Sequence, residues 1–148
     1  MSIVGDYKFH SMLSLEGDEK KYVTAEELIN KKYDESLDPE YVKHEKASTL
    51  ALTKIILRIS ADGTLKALQP VPDFVTKEEL DAAVAAGEVL VEDGYIYDKV
   101  QKWEDRDGVI YYDTGIQGTV FDQPADPWSK LLDDEGYVNY MLMRFERC

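Results

Sequence analysis

The residues from Thr53 to Leu68 constrain the fold more than any other stretch of this chain. Ile55, Leu57 and Ile59 occupy alternate positions, and β-branched, apolar alternation of this kind is typical of a half-buried strand. Ala61-Asp62-Gly63 follows, and Asp and Gly tolerate the positive φ of tight hairpin turns. The alternation then resumes. The sequence therefore predicts two antiparallel strands, from which the other strands pair outward.

Short β-like runs separated by turn residues fill much of the remaining chain. Asp93-Gly94, Asp105–Gly108 and Asp133–Gly136 carry turn chemistry, and we expect the last of these turns to lead into one continuous strand, Tyr137–Arg147. About eight short strands with such spacing favour a barrel or a sandwich.

Closure of a barrel requires the two ends of the sheet to meet. We expect the first strand, Ile3–Phe9, to pair antiparallel with Leu142–Arg147, because this pairing removes the two exposed edges of an open sheet.

Two segments carry nearly the same helix start. Thr24 with Glu27 predicts a capping box, in which the Thr24 hydroxyl caps the first turn of the helix and the Glu27 carboxylate reaches back to Thr24. The second copy opens a helix predicted from Thr76 to Ala86, with Glu79 in the matching position. A further short helix is predicted from Asp38-Pro39, since proline is favoured at the first helical position.

Size and charge narrow the function classes. The chain has 148 residues, of which 44% are hydrophobic, so we expect a single domain, 1–148, with a real core. A net charge of −13 opposes binding to nucleic acids and to anionic membranes. No run approaches the ~20 apolar residues of a membrane span, and we expect no membrane insertion. The chain start shows no signal peptide; we expect a cytoplasmic protein, with a signal removed from a precursor as the alternative.

The first and last strands carry a resemblance to a known pattern. Gly5-Asp6-Tyr7 opens the first strand and Met143–Arg147 closes the chain, which resembles the calycin pattern shared by lipocalins and fatty-acid-binding proteins. In that pattern an aromatic residue of strand one meets a basic residue near the C-terminus; here Tyr7 would replace the usual tryptophan, and Arg144 or Arg147 would be its partner. The carboxylate clamp of fatty-acid binders is absent, because Glu146 stands where its tyrosine would be.

The resemblance implies a fold and a class of function. The expected fold is mostly β: a single lipocalin-like antiparallel barrel of about eight strands with two or three short helices. The implied function is binding of a small molecule, and no catalytic residues carry over.

Motifs for catalysis or metal binding are not found. His10, His44 and Cys148 lack zinc-site spacing, and the two acidic turns 105–108 and 133–136 do not fit an EF-hand loop. With 30 Asp and Glu residues, proximity of two carboxylates is expected by chance and identifies no acid–base pair. We therefore expect no metal, no cofactor and no enzymatic activity, although a barrel enzyme without a known motif stays open.

The ten tyrosines are the most suggestive feature, because a tyrosine combines an apolar body with a polar tip suited to a ligand cavity. The alternative is that they are ordinary core and sheet-surface residues. We predict a non-enzymatic binding protein for a small hydrophobic or amphipathic ligand; the alternative is a protein-interaction module with a filled barrel. The candidate lining residues of a barrel cavity are Tyr7, Phe9, Tyr97, Tyr111, Tyr140 and Arg144.

Overall fold

The structure, a computed structural model, describes residues 3–16, 19–72, 75–116, 119–120, 123–124 and 126–148. Within these ranges the helices are α1 (Ala25–Ile29), α2 (Pro39–Leu52) and α3 (Lys77–Ala85). The strands are β1 (Gly5–Glu16), β2 (Glu19–Thr24), β3 (Ile56–Ile59), β4 (Thr64–Pro70), β5 (Leu90–Glu92), β6 (Tyr95–Tyr97), β7 (Gln101–Arg106), β8 (Val109–Asp113), β9 (Thr119–Val120), β10 (Gln123–Pro124), β11 (Trp128–Lys130), β12 (Val138–Tyr140) and β13 (Met143–Arg147).

Eight of these strands form a nearly closed antiparallel barrel. Its order is β1, β3, β4, β7, β8, β11, β12 and β13: neighbours in this order pair antiparallel except β11 and β12, and β13 returns to β1. The gap between β11 and β12 is spanned by an antiparallel bridge between Leu132 and Val138 and by a 2.6 Å hydrogen bond from the Asn139 N–H to the Leu131 carbonyl. The prediction of a mostly β barrel of about eight strands with accessory helices is confirmed.

The central hairpin has the predicted form. β3 pairs with β4, and Leu57, Ile59 and Leu65 are fully or almost fully buried. The Asp62 carboxylate accepts hydrogen bonds from the backbone and side chain of Thr64, and Gly63 has a φ of 87°. The local turn chemistry therefore sets the register that places alternate β3 side chains in the core.

The first and last strands pair antiparallel, as predicted. Tyr7 lies opposite Arg147 and Met12 opposite Met143, with a register shift between Phe9 and Ser11. β2 and β3 bond to successive parts of β1, and residues of both parts also pair with β13. Because a strand has two edges, β2 and β3 share one edge of β1 and β13 occupies the other.

The prediction of one continuous strand from Tyr137 to Arg147 is wrong. The chain reverses at Met141-Leu142, and β12 and β13 form a hairpin in which Val138 lies opposite Phe145. Met141 and Leu142 have φ values of 51° and 68°. A turn with two left-handed residues is normally made by Asn-Gly or Asp-Gly, so the sequence carries no local signal for it. The reversal also explains why both faces of the supposed strand look apolar.

The predicted N-caps at Thr24 and Thr76 are present, and each hydroxyl also donates to the carboxylate of the glutamate three residues further on. The Thr24 hydroxyl accepts from the Glu27 N–H, and the Thr76 hydroxyl accepts from the Glu79 N–H at 3.1 Å. The Asp38 carboxylate caps α2, which runs for 14 residues rather than the short length expected. None of the three helices contributes a fully buried residue, so they are not part of the barrel interior.

An ion-pair cluster attaches the β5–β6 hairpin to the barrel. Arg58 contacts Asp6 at 2.9 Å and both Glu92 and Asp93 at 2.7 Å, while Lys66 contacts Glu92 at 2.8 Å. Arg58 keeps only 25% of its side-chain surface exposed. The cluster spans the first strand, the central hairpin and the β5–β6 turn. It tethers a hairpin that, among the described strands, pairs with the end of β4.

The centre of the barrel is filled with apolar side chains. Phe9 and Phe145 meet edge to face with ring centroids 6.0 Å apart, and Tyr112 and Tyr140 lie 5.4 Å apart. The buried core members are Ile3, Tyr7, Phe9, Ile55, Leu57, Ile59, Leu65, Tyr112, Leu131, Val138, Tyr140, Met143 and Phe145. Any site must therefore lie at an end or on the outside of the barrel.

Candidate functional site

A cleft of about 830 Å³ opens at the end of the barrel where β1 begins and β13 ends. Drug-sized ligands occupy sites of roughly 300–1,000 Å³ lined mainly by apolar side chains and a few polar groups. The cleft has this composition. Its described lining comprises Ile3, Tyr7, Trp103, Asp105, Gly108, Ile110, Leu132, Glu135, Gly136, Tyr137, Phe145, Glu146 and Arg147.

The contact between Tyr7 and Arg147 forms the floor at one side of the cleft. The Arg147 guanidinium donates to the Tyr7 hydroxyl at 2.8 Å and to the Val4 carbonyl at 3.0 Å, and it lies 5.0 Å from the Tyr7 ring centre. The Tyr7 hydroxyl donates in turn to the Ile3 carbonyl at 2.6 Å. Burial raises the pKa of Tyr7, and the charge of Arg147 partly offsets that rise.

Close packing at this contact depends on a glycine. A Cβ at Gly5 would lie 2.7 Å from an Arg147 nitrogen, and Gly5 has a φ of 148°. Of the two arginines that the sequence offered as a partner for Tyr7, Arg147 makes the contact and Arg144 does not.

Trp103 and Tyr137 provide aromatic walls. The Trp103 indole N–H donates to the Ser60 carbonyl at 2.9 Å, and the Trp103 backbone N–H donates to the Gly63 carbonyl. These two bonds tie the ring to the turn of the central hairpin and fix its position. Tyr137 stacks on His10 at 4.5 Å, so its outer face is already covered.

Arg144 belongs to a separate cluster on the outside of the barrel. Its guanidinium lies 3.6 Å from the centre of the Tyr22 ring and 5.2 Å from that of Tyr137, and its Nε is 2.9 Å from the Asp133 carboxylate. Its side chain is 14% exposed. Burial opposes ionisation of Asp133, but hydrogen bonds from Asn139 and two backbone N–H groups, with the charge of Arg144, leave its pKa lowered. These contacts indicate a structural role for Arg144.

The six predicted lining residues do not surround one cavity. Tyr7 lines the cleft, whereas Phe9 and Tyr140 are buried in the core. Tyr97 lies beneath Lys66 and Tyr111 beneath Arg106, with cation-to-centroid distances of 5.1 and 4.9 Å. Arg144 lies in the outer cluster described above.

Tyr140 makes the most deeply buried polar contact of the six. Its hydroxyl donates to the Gln101 side-chain oxygen, and the Gln101 amide donates to the Asp113 carbonyl at 2.9 Å. Burial, reinforced by Tyr112 and Asp98, raises the pKa of Tyr140 to about 12. The neutral, hydrogen-bonded phenol is therefore a structural element of the core.

Trp103, Ile110 and Arg147 line the cleft but were not among the predicted lining residues. The sequence did point to Arg147, because the calycin resemblance named it as one of two possible partners of Tyr7. Trp103 and Ile110 come together through the pairing of β7 with β8, in which Trp103 lies opposite Tyr112 and Asp105 opposite Ile110. Alternation within a single strand carries no information about that neighbour.

The other depressions are less suited to a small molecule. One of about 510 Å³ lies beside the start of α2 and is lined mostly by exposed residues, including Lys43 and Lys46. Another, of about 400 Å³, lies between the β1–β2 ribbon and α1. Among the described residues no group of three His, Cys, Asp or Glu side chains is placed to hold a metal, and the acidic segments 105–108 and 133–136 form turns.

The helices that the structure describes include none both long enough and apolar enough to cross a membrane. No protein-family model, no curated protein sequence and no solved structure matches this chain.

Proposed function

We propose that the protein binds a small hydrophobic or amphipathic molecule in the cleft at the end of the barrel, and that it does so without catalysis. The observation that carries this proposal is the cleft itself: about 830 Å³ of space beside Trp103, Ile110 and Tyr137 at the end of a barrel whose centre is filled. Because apolar surface is exposed there, a ligand that covers it gains the free energy of removing that surface from water.

The fold supports the same proposal through its resemblance to calycins. Apart from the gap between β11 and β12, each barrel strand pairs with the next barrel strand in sequence, and two helices follow the first strand and its β2 extension. An aromatic residue of the first strand meets a basic residue of the last one, as Tyr7 meets Arg147. On this basis we propose a relationship to the lipocalins and fatty-acid-binding proteins, with the ligand at the barrel mouth rather than deep inside.

A heteronuclear NMR titration with naphthylmethanol, an uncharged aromatic alcohol, tests the proposal. The expected result is a saturable shift of the Trp103 indole N–H signal, with no comparable change at the Trp128 indole, which lies outside the described lining. Leu132→Gln should weaken binding because it removes apolar surface from the cleft. Leu90→Gln is the matched control, since Leu90 is exposed to a similar degree on β5 (46% against 40%).

No saturable shift at Trp103, for naphthylmethanol and for a wider set of small apolar compounds, would overturn the proposal. The protein-interaction role expected from a filled barrel would then be the better explanation. A shift that Leu90→Gln weakens as much as Leu132→Gln would place the binding surface elsewhere.

A further inference from the structure

Carboxylates outnumber cationic groups around the cleft. Asp105, Glu135 and Glu146 contribute carboxylates to the described lining, and Arg147 contributes the one guanidinium there. Two of these carboxylates pair with cations outside the lining, Glu146 with Lys8 and Glu135 with Arg144. The negative potential in the cleft therefore comes from Asp105 and, at longer range, from the net charge of −13 for the whole chain. A ligand that enters the cleft meets a field that attracts cations.

The protein fixes the position of the Arg147 guanidinium. It donates to the Tyr7 hydroxyl and the Val4 carbonyl and lies over the Tyr7 ring. An anionic ligand that took over these two donors would leave the buried Tyr7 hydroxyl with one partner fewer. Part of the Arg147 charge therefore already serves contacts within the protein.

The carboxylates of Asp105, Glu135 and Glu146, which we call the acidic rim of the cleft, can still accept hydrogen bonds from a ligand. Glu146 forms an ion pair with Lys8 at 3.7 Å, with both side chains about half exposed, and Glu135 pairs with Arg144 at 3.2 Å while remaining 64% exposed. Exposed pairs of this kind are worth little, roughly 0–1 kcal/mol. Asp105 accepts one hydrogen bond, from the Gly108 N–H, and its carboxylate retains further lone pairs.

The Trp103 ring in the cleft wall also favours a positively charged ligand. Trp103 is held by its bonds to Ser60 and Gly63, in a strand that also carries Asp105 two residues further on. Residues two apart in a strand point to the same side, so the indole and the carboxylate are neighbours on the cleft side of β7. An indole face attracts cations more strongly than any other side-chain ring.

We infer that the cleft ligand is a cation: a small molecule with an aromatic or similarly flat apolar body and an ammonium group directed to the acidic rim. The inference rests on the proposed function and narrows it to one ligand class. The apolar body would lie against Trp103 and Ile110, and the ammonium group would lie near Asp105 and Glu146.

Three naphthalene compounds of nearly equal size separate charge from shape: naphthylmethylammonium, naphthylmethanol and naphthoate. The same Trp103 indole signal reports each dissociation constant. The cation should bind roughly tenfold more tightly than the anion, because reversing the ligand charge reverses its interaction with the excess carboxylates at the rim. The alcohol should lie between them. Raising the salt from about 0.01 M to 1 M, which shortens the Debye length from about 30 Å to 3 Å, should weaken binding of the cation only.

Neutralising the rim provides the decisive variant. Asp105→Asn with Glu146→Gln should reduce the preference for the cation over the anion, measured as the ratio of their dissociation constants in the same variant, to about twofold or less. The matched control is Glu45→Gln with Glu88→Gln, which removes the same charge from exposed positions on α2 and before β5. The control should keep most of the preference.

The outcomes distinguish the two proposals. If the alcohol binds at Trp103 but the anion binds as tightly as the cation, the charge inference fails and the binding function stands. An equal loss of preference in the rim variant and its control would also refute it, because the selectivity would then come from the net charge of the chain. If none of the three compounds binds, both proposals fail.

Discussion

The Met141-Leu142 turn should be replaceable by a better one. Three two-residue hairpin turns in the described chain have the same backbone signature: φ values are 52° and 82° at Asp93-Gly94, 55° and 90° at Asp107-Gly108, and 51° and 68° at Met141-Leu142. Two of them use Asp-Gly, which tolerates left-handed backbone. The third holds two long side chains in a conformation that costs ordinary residues roughly 1–2 kcal/mol each.

The double substitution Met141→Asn with Leu142→Gly should therefore stabilise the protein. It relieves about 2–3 kcal/mol of backbone strain, and glycine returns about 1 kcal/mol of that through greater freedom in the unfolded chain. Little burial is lost, since Met141 and Leu142 are 51% and 68% exposed. The bonds from the Leu13 N–H to the Leu142 carbonyl and from the Met141 N–H to the Tyr112 hydroxyl involve the turn backbone and are retained.

The expected net gain is about 1–2 kcal/mol, or about 3–6 °C in the melting temperature of a chain this size. Thermal and urea unfolding of the parent and variant measure it. Met141→Gln with Leu142→Ala is the control: it removes exposed apolar surface but leaves both residues left-handed, so no gain is expected. A variant that melts at or below the parent temperature would refute the reasoning, as would a control that gains equally.

Further predictions concern the ion-pair cluster, the phenol, the cap and the closing contact. Lys66 and Arg58 lower the pKa of Glu92 in the folded protein. The ion pairs of Glu92 therefore stabilise the fold above the pKa that Glu92 has in the unfolded chain, and this stabilisation is lost as the pH falls through the lower pKa of the folded state. Arg58→Met should make the free energy of unfolding depend less steeply on pH in this acid range. The pKa of Tyr140 is raised to about 12 in the folded protein. Its neutral phenol therefore contributes fully to the free energy of unfolding below the unfolded pKa of about 10, and up to about 2.7 kcal/mol of this contribution is lost as the pH rises toward 12. Tyr140→Phe should abolish this loss of stability at alkaline pH. Thr76→Ala should weaken α3 by about 1 kcal/mol, seen as faster amide exchange within Lys77–Ala85 and unchanged exchange in β3. Gly5→Ala should lower the melting temperature because its φ of 148° strains any residue with a Cβ and because that Cβ would lie 2.7 Å from an Arg147 nitrogen. Arg147→Ala in the same chain removes the contact but not the strain, so full recovery in the double variant would contradict the strain, and an unchanged melting temperature in Gly5→Ala would contradict both causes.

Sequence reasoning succeeded where the cause of a structure is local. The caps at Thr24 and Thr76 and the turn after β3 depend on residues only a few positions apart in the sequence. It failed at Met141-Leu142, where the surrounding hairpin imposes a backbone that the residues themselves do not favour.

The candidate site was harder to predict from the sequence because it depends on which residues of different strands lie side by side. Val109–Asp113 carries apolar or aromatic residues at four consecutive positions, so a period of two cannot decide which tyrosine faces inward; the structure buries Tyr112 and leaves Tyr111 half-buried beneath Arg106. The approach of Trp103 to Arg147 follows from closure of the whole barrel, which no single segment encodes.

The two-edged pairing of β1 has a consequence during synthesis. One edge of β1 pairs with β2 and β3, whose residues follow within the next few tens of positions. The other edge pairs with β13, which is synthesised last. A ribosome that adds about 5–20 residues per second reaches Met143 roughly 7–26 s after Met12. During that interval the nascent chain has an unpaired strand edge, and the side chains of Tyr7 and Phe9 are uncovered. Exposed edges and apolar side chains of this kind promote aggregation and are bound by chaperones.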